Sequence, residues 1–494
     1  MKYIINIILK TIFFIFLFLL FYLYISKIFM HKENWRGDLG AIKSFYKQKK
    51  NTLDVVFLGT SHVYTGISNW QLWDEHGITS YNFSNSSQPL QMTYFMLEEV
   101  IRVQKPKLIV VDLFGLVLPL NEASVGLNHA NLDYMPLSKT KVKAINSLIK
   151  DRKNEFICPM IKYHSRWNNL NKKDFQTLKH IGLGSDLLFE TKKNSSFEII
   201  RNDIEDKNIN LEYLSILDKM IALCQNEKID LLFTTLPYHA PSKPNGIKIT
   251  HIEQQKIFNN VNKLFSEKKI RYLNFFHLLD EISFNWDTDM NDSSHLNING
   301  AYKITSFLGK YIKTNYHIYD KRNDSHYINW WKEYELYKHD ILKKELNRTK
   351  DYHTYINILS QNMDKYLIII SGKDTLVKEN IYSNNELQII KKLNLNKDFS
   401  IKFRESYVAI INQKNILFEK KSKETLKYEL KIDNLPISIT SSNWEKENFA
   451  SIKIDGIEKR TNKRGLGIVV YDKILKDTID SVVFDTYDNG KCYR

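Results

Sequence analysis

Cysteine is scarce in this chain: Cys158, Cys224 and Cys492 are the only three among 494 residues. An odd, widely spaced set builds neither a disulfide framework nor a zinc site. No group of His, Cys, Asp and Glu has metal-ligand spacing either, so no metal or other cofactor is expected. Basic residues are plentiful, giving a net charge of +15, but they are scattered among asparagines rather than gathered into blocks. No zinc finger, RNP-like stretch or heptad-backed basic helix accompanies them, so nucleic acid is not an expected partner. No simple internal repeat is present, and no A-x-A-like cleavage site follows the N-terminal apolar run.

That run, "YIINIILKTIFFIFLFLLFYLYISKIFM" (3–30), is interrupted early by Lys10. It exceeds the about 20 residues that cross a bilayer and outruns a signal-peptide core. Residues 1–30 are therefore read as an uncleaved, single-pass membrane anchor. Lys2 and Lys10 lie on its N-terminal side, while Lys27, Lys32 and Arg36 follow it. By the positive-inside rule, the second group opposes an outward-facing body.

Residues 31–51 form a polar connector. Beyond it, 43% hydrophobic content in a chain of this length supports two or three domains with their own cores. Short β-branched runs then alternate with helical patterns, as in a parallel α/β sheet. "LDVVFLG" (53–59), "ITSYNFS" (78–84), "PKLIVVDLF" (106–114) and "IDLLFTTLPYH" (229–239) read as strands. "PLQMTYFMLEEVIRVQ" (89–104) reads as a helix opened by Pro89, and further helices are expected over 211–228 and about 301–313. Residues 120–205 are less regular and read as an insertion or cap. After Tyr316 a charged stretch reads as a helical connection. From about Tyr366 the runs "YLIIISGKD", "SYVAIINQKNILFE", "FASIKIDGIEKR", "LGIVVYD" and "IDSVVFDTYD" point to a mainly β domain.

The chemistry starts at "VVFLGTSHVYTG" (55–66), where an apolar strand stops at a small-residue turn carrying Ser61. A serine nucleophile needs a base for its proton and a carboxylate to orient that base. The adjacent His62 is a poor base, because neighbouring side chains at a strand end point to opposite faces. Far downstream, "DTDMNDSSHLNINGAYKITSFLGKYI" (287–312) places Asp292 and His295 three apart on one loop before a helix. That spacing lets the carboxylate hold Nδ1–H while Nε2 faces a serine from another strand end. Both motifs are expected at the carboxyl edge of the sheet.

With "VVFLGTSHVYTGI", "YNFSNSSQPLQMTYFMLEEVIRVQKPKLIVVDL", "YHSRWNNL" (163–170) and "DSSHLNINGAYKIT", the chain resembles the SGNH/GDSL hydrolase superfamily. Within it, the resemblance is to bacterial membrane-anchored members associated with surface polysaccharide. It covers roughly residues 50–345 and implies a flavodoxin-like three-layer fold with a Ser61–His295–Asp292 triad. It further implies an esterase or acyltransferase, often acting on O-acetyl groups of glycans. Two positions depart from the family. Its second-block glycine falls near Ser84 or Ser87, and its third-block asparagine is missing from "VVDLFGLV". Both normally build the oxyanion hole, so Ser84, Ser87 and Asn85 are the oxyanion candidates here.

Three other residues stand as substrate candidates. His164 and Arg166, beside Trp167, suit a sugar or an anionic group, or equally a packing cluster. His239 follows a strand on the presumed site edge and reads more readily as a loop residue.

The C-terminal "SIKIDGIEKRTNKRGLGIVVYDKILKDTIDSVVFDTYD" resembles an interleukin-like EMT inducer (ILEI) domain, over about 350–494. That resemblance implies a secreted or lumenal setting and a carbohydrate partner, with a spacer role as the alternative. The expected layout is an anchor (1–30), a connector (31–51), an SGNH-like domain (52–316), a helical linker (317–349) and an ILEI-like domain (350–494). The expected body is extracytoplasmic and its expected partners are the membrane, an acylated polysaccharide and, for a transferase, a membrane acyl-donor protein. A non-catalytic glycan-binding or assembly protein on the same fold is the competing reading.

Overall fold

Parallel strands covered on both faces are near-continuous apolar runs, and this chain has such runs in the expected places. In the computed structural model the strands are β1 (Val55–Leu58), β2 (Ser80–Asn82), β3 (Leu108–Asp112), β4 (Asp230–Thr235) and β5 (Arg271–Asn274), of which β1, β3 and β4 are such runs. The structure describes residues 2–31, 40–118, 125–176, 180–201, 209–243, 247–377, 389–395, 402–488 and 490–494. It divides into two units, Met1–Tyr334 and Glu335–Arg494.

In the first unit the sheet order is β2-β1-β3-β4-β5, and every pairing is parallel. This is the flavodoxin-like doubly wound order, whose direction reverses between β1 and β3. Val55, Phe57, Leu108, Val110 and Leu232 face one layer, packing with Leu72, Ile304, Leu308 and Ile312. The alternate residue Phe233 stacks on Phe265 of the helix His251–Glu267, with ring centroids 4.5 Å apart. On that side the helices Leu90–Val103 and Leu211–Glu227 pack against each other and on β1 and β4. The result is three layers with the strand ends free at the carboxyl edge.

β5 and the helix His251–Glu267 complete the sheet without being evident as separate elements in the sequence. The helix begins with a reciprocal cap: Thr250 Oγ1 accepts from Glu253 N–H at 3.2 Å, and Glu253 accepts from Thr250 N–H at 2.7 Å. Between Val125 and Phe175 the chain forms short helices and 3-10 turns, not strands. One helix, Lys2–Phe29, contains a stretch (Tyr3–Phe29) long and apolar enough to cross a membrane.

The helix Ile328–Arg348 carries the division between the units. Among the described residues the second unit holds a curled ten-stranded sheet. Its members are β6 (Leu367–Asp374), β7 (Ser406–Asn412), β8 (Asn415–Ser422), β9 (Leu426–Ile432), β10 (Leu435–Asn443), β11 (Ala450–Ile454), β12 (Ile457–Glu458), β13 (Gly465–Asp472), β14 (Asp477–Asp485) and β15 (Lys491–Tyr493). A helix, Tyr352–Asn362, lends Tyr355, Ile356 and Leu359 to the core on one face. Arg464 donates from Nε and Nη2 to the Asp485 carboxylate at 2.8–3.1 Å and lies over the Tyr487 ring. Gly465, at φ +111°, has no room for a side chain: a Cβ there would sit 2.1 Å from the Phe484 carbonyl oxygen.

Candidate active site

Ser61 does not end a strand, as the sequence reading has it, but opens the helix Ser61–Gly66 directly after β1. Thr60 caps this helix, its hydroxyl accepting from His62 N–H at 3.3 Å. As the first helical residue, Ser61 has a backbone N–H with no intrahelical acceptor. The turn sits where the strand order reverses, the place where open α/β sheets bind ligands.

The loop bearing Asp292 and His295 is built by its own polar residues. Asn297 caps the helix Ile298–Asn315, accepting from the N–H groups of Asn299 and Gly300 at 3.0 and 3.2 Å. Its amide also donates back to the Thr288 carbonyl at 2.7 Å. Asp289 is buried and accepts from Lys303 Nζ at 2.7 Å and from Asn285 N–H at 2.8 Å. Gly300 lets the helix approach this loop: a Cβ there would lie 2.3 Å from the Asp289 carbonyl oxygen. The "HLNINGA" pattern is thus an N-cap and a close-approach glycine.

Three side chains meet across these two segments. His295 Nε2 lies 2.9 Å from Ser61 Oγ. His295 Nδ1 lies 3.0 and 3.1 Å from the Asp292 carboxylate oxygens. Asp292 Oδ1 also accepts from the N–H groups of Ser294 and His295 at 2.7 and 2.9 Å. Partial burial pushes the Asp292 carboxyl up. The hydrogen bond and charge of His295 and the two amides outweigh that effect and hold it well below the usual carboxylate range. A carboxylate that stays ionised fixes the Nδ1–H tautomer, leaving Nε2 to take a proton from Ser61. Such an arrangement is able to perform nucleophilic acyl transfer.

The oxyanion candidates are placed less directly. Ser84 is fully buried. Ser87 adopts a left-handed backbone, φ 45°. Asn85 is 1% exposed, its Oδ1 accepts from Ser86 N–H at 2.9 Å, and its Nδ2 has no hydrogen-bond partner among the described residues. Tyr64, on the helix Ser61–Gly66, meets Ser86 Oγ at 2.7 Å, so this loop adjoins the helix. Asn85 Nδ2 is thus a buried donor with no hydrogen-bond partner among the described residues.

Three proposed substrate residues are not brought to Ser61. Arg166 donates to Asp174 Oδ1 at 2.7 Å and to the Phe29 carbonyl at the end of the N-terminal helix. His164 Nδ1 turns back to the carbonyls of Met160 and Ile161 at 3.2 and 3.0 Å. Among the described residues neither is hydrogen-bonded to Ser61, His295 or Asp292. His239 is buried, with Nδ1 2.5 Å from Ser242 Oγ and Nε2 3.1 Å from the Ser195 carbonyl. Its N–H donates to Ser293 O at 2.9 Å, so it braces the His295 loop and makes no contact with Ser61 or His295 among the described residues.

No family model and no curated protein sequence matches the chain. Among solved structures, a GDSL-like lipase from Bacteroides thetaiotaomicron is similar over 56% of this chain and 100% of its own, at 11% identity and a TM-score of 0.29. A protein from Bacteroides fragilis assigned as an acylhydrolase is similar over 57% of this chain and 98% of its own, at 11% identity and a TM-score of 0.30. One from Desulfitobacterium hafniense, assigned to the G-D-S-L lipolytic family, covers 52% of this chain and 97% of its own, at 11% identity and a TM-score of 0.27.

Two site residues were not singled out by sequence. His62 is buried, its ring 3.8 Å from that of Phe114 between centroids, and its Nε2 lies 3.1 Å from Ser294 Oγ. Burial first, and then the nearby His295, hold it well below its ordinary pKa, so it stays neutral. Through Ser294 it ties the helix Ser61–Gly66 to the Asp292–His295 loop. His62→Phe keeps the ring stack and removes the tie. We expect unchanged thermal unfolding and a kcat lowered about tenfold, equivalent to about 1.4 kcal/mol. An unchanged kcat in steady-state assays of the variant would deny His62 this positioning role.

Asp112 is the second. It accepts from the N–H groups of Leu236 (3.0 Å) and Phe114 (3.2 Å), closing the carboxyl ends of β3 and β4. Burial pushes its carboxyl up to about 7, against the pull of those two amides. The unfolded chain ionises this group near pH 3.9, the native chain only near 7. Native Asp112 therefore destabilises the fold progressively as pH rises through that window, by on the order of 4 kcal/mol in all. Asp112→Asn abolishes the titration. The difference in thermal midpoint between variant and wild type should shift in the variant's favour from pH 4 to 7 and then level off. Parallel curves would mean that the native carboxyl titrates normally.

Proposed function

We propose that the chain is a membrane-anchored serine esterase or O-acyltransferase working on cell-surface or exported polysaccharide, with acetyl the foremost acyl group. The observation that carries this reading is the 2.9 Å approach of His295 Nε2 to Ser61 Oγ, with Asp292 on the opposite ring nitrogen.

In the proposed cycle, Ser61 Oγ attacks the ester carbonyl as its proton passes to His295 Nε2. Asp292 steadies the imidazolium that forms. The N–H of Ser61 and the amide of Asn85 are the donors we assign to the oxyanion. Collapse breaks the acyl–oxygen bond, and His295 returns the proton to the departing sugar hydroxyl. The acyl-enzyme is then resolved by water in an esterase, or by a second sugar hydroxyl in a transferase. In the transferase version the acyl group reaches Ser61 from a membrane acyl-donor protein, whose own acyl bond breaks and whose departing group, in place of the sugar hydroxyl, takes the proton from His295.

Residues 1–30 serve as the anchor in this reading, 31–51 as connector, 52–316 as the catalytic domain and 317–349 as linker. Residues 350–494, resembling an ILEI domain, act as a glycan-binding module outside the cytoplasm. One observation favours the non-catalytic alternative: the β3 end offers no asparagine, and the oxygens of Asp112 are taken by backbone amides. Incubation with O-acetylated polysaccharide separates the two readings. Free acetate, or acetyl moved to an acceptor glycan, that disappears in Ser61→Ala supports the enzyme. Glycan binding without either product, unchanged in Ser61→Ala, supports the alternative.

A further inference from the structure

The N-terminal helix is bare along only part of its length. From Tyr3 to Phe21 every residue is exposed, whereas from Tyr22 to Met30 partly or fully buried positions recur. At about 1.5 Å per residue the bare part spans about 28 Å, close to the about 30 Å of a bilayer's hydrocarbon core. The covered part is wrapped by the segment 153–175, composed of the helices Lys153–Ile157 and Met160–Tyr163 and the 3-10 turns His164–Asn169 and Lys172–Phe175. The last three of these elements pack directly on the helix. Cys158 Sγ lies 3.0 Å from Tyr22 OH, and Arg166 donates to the Phe29 carbonyl.

This collar carries apolar side chains that the body does not bury. Ile157 is 48%, Ile161 42%, Trp167 69% and Phe175 64% exposed. Ile157 and Ile161 flank the Cys158 contact, and so lie at the level of Tyr22, where the bare helix begins. The collar's buried acidic groups are already engaged, Glu155 by Arg152 and Asp174 by Arg166. Lys172 and Lys173 remain exposed beside Phe175. Apolar and aromatic tips next to exposed lysines are the surface chemistry of interfacial membrane segments.

We propose that the collar 153–175 is a membrane-seating surface. Its partner is the headgroup layer around the exit of the anchor, with Ile157 and Ile161 dipping into the acyl boundary and Trp167 and Phe175, near the Phe29 end of the helix, lying among the headgroups. The inference rests on the anchor reading of residues 1–30. It adds that the body is held against the bilayer rather than tethered at a distance from it.

The test uses the full-length protein in phosphatidylcholine–phosphatidylglycerol vesicles containing a phospholipid with a carbene-generating acyl chain. Adducts are mapped by mass spectrometry. We expect adducts along Tyr3–Phe21 and on the collar peptides, with none at Tyr319, an exposed aromatic of the same unit. Ile157→Asp with Ile161→Asp should lose the collar adducts and keep those in the anchor. Adducts in the anchor but none in the collar would overturn the seating surface and leave the anchor standing. Absence of adducts from both would overturn the anchor reading, and the seating surface with it. Equal labelling at Tyr319 would show non-specific association and would also overturn it.

Discussion

Replacing Ser61 with alanine is expected to lower kcat for a short acyl ester by about a million-fold, to the level set by binding and oxyanion contacts alone. The size follows from the chemistry. Without Oγ there is no acyl-enzyme, and His295 has no proton to accept. His295→Ala should cost a similar factor, because a neutral serine hydroxyl is a weak nucleophile without its base. The double variant should be no worse than either single one, since the two groups act as a unit. Steady-state rates for the three variants, with circular dichroism to confirm folding, test this directly. Additive losses would mean that the 2.9 Å contact is not a working nucleophile–base pair.

Asp292→Asn is the second large effect, with an expected loss of about ten-thousandfold in kcat. The variant keeps an oxygen to accept from Ser294 and His295 N–H, so the loop should hold its shape. It places an amide N–H where Oδ2 faced His295 Nδ1 and the Asn291 amide. Donor then meets donor, and the imidazole is driven to the tautomer whose Nε2 carries hydrogen and cannot accept from Ser61. In the wild type the Asp292 carboxyl is held below its ordinary range. Its contribution to stability is therefore present above the unfolded carboxylate pKa of about 3.9 and lost as pH falls through the native value. Asp292 should then remain ionised throughout the assay range. A variant that retains most of its kcat would show that Asp292 only shapes the loop.

The legible parts of this chain are those where one physical signal dominates. β1, β3 and β4 are apolar runs enclosed by helices, and "DSSHLNINGA" couples an acid–histidine spacing to an N-cap. Ser61, His295 and Asp292 follow from such signals. β5 was not legible because it is a four-residue edge strand, "RYLN", only partly buried. The helix before it is largely polar, and its cap at Thr250–Glu253 is the clue that was available. β9 and β10 alternate polar and apolar residues around Asp433 and Asn434, both at positive φ, a hairpin signal weaker than the apolar runs beside it.

His62 is a poor partner for Ser61 only where both residues end an extended strand. Once Ser61 opens a helix, the alternation of faces no longer applies, and His62 reaches Ser294 instead. Arg166 and His164 could not be assigned from composition, since arginine and tryptophan serve packing and binding alike. Arg166 finds Asp174 nearby and the Phe29 carbonyl far along the chain, whereas His164 turns back on the carbonyls of its own turn. Asp112 reads as a residue within the strand 106–114, and only the approach of the Leu236 and Phe114 amides gives it a role.

The most direct test of the central claim is labelling of the full-length protein with a serine-directed fluorophosphonate. Ser61→Ala and His295→Ala run alongside, and the modified residue is mapped by mass spectrometry. The account predicts a single adduct on Ser61 in the wild type and none in either variant. A folded wild-type protein that stays unlabelled, or labelling that survives in Ser61→Ala, would contradict it.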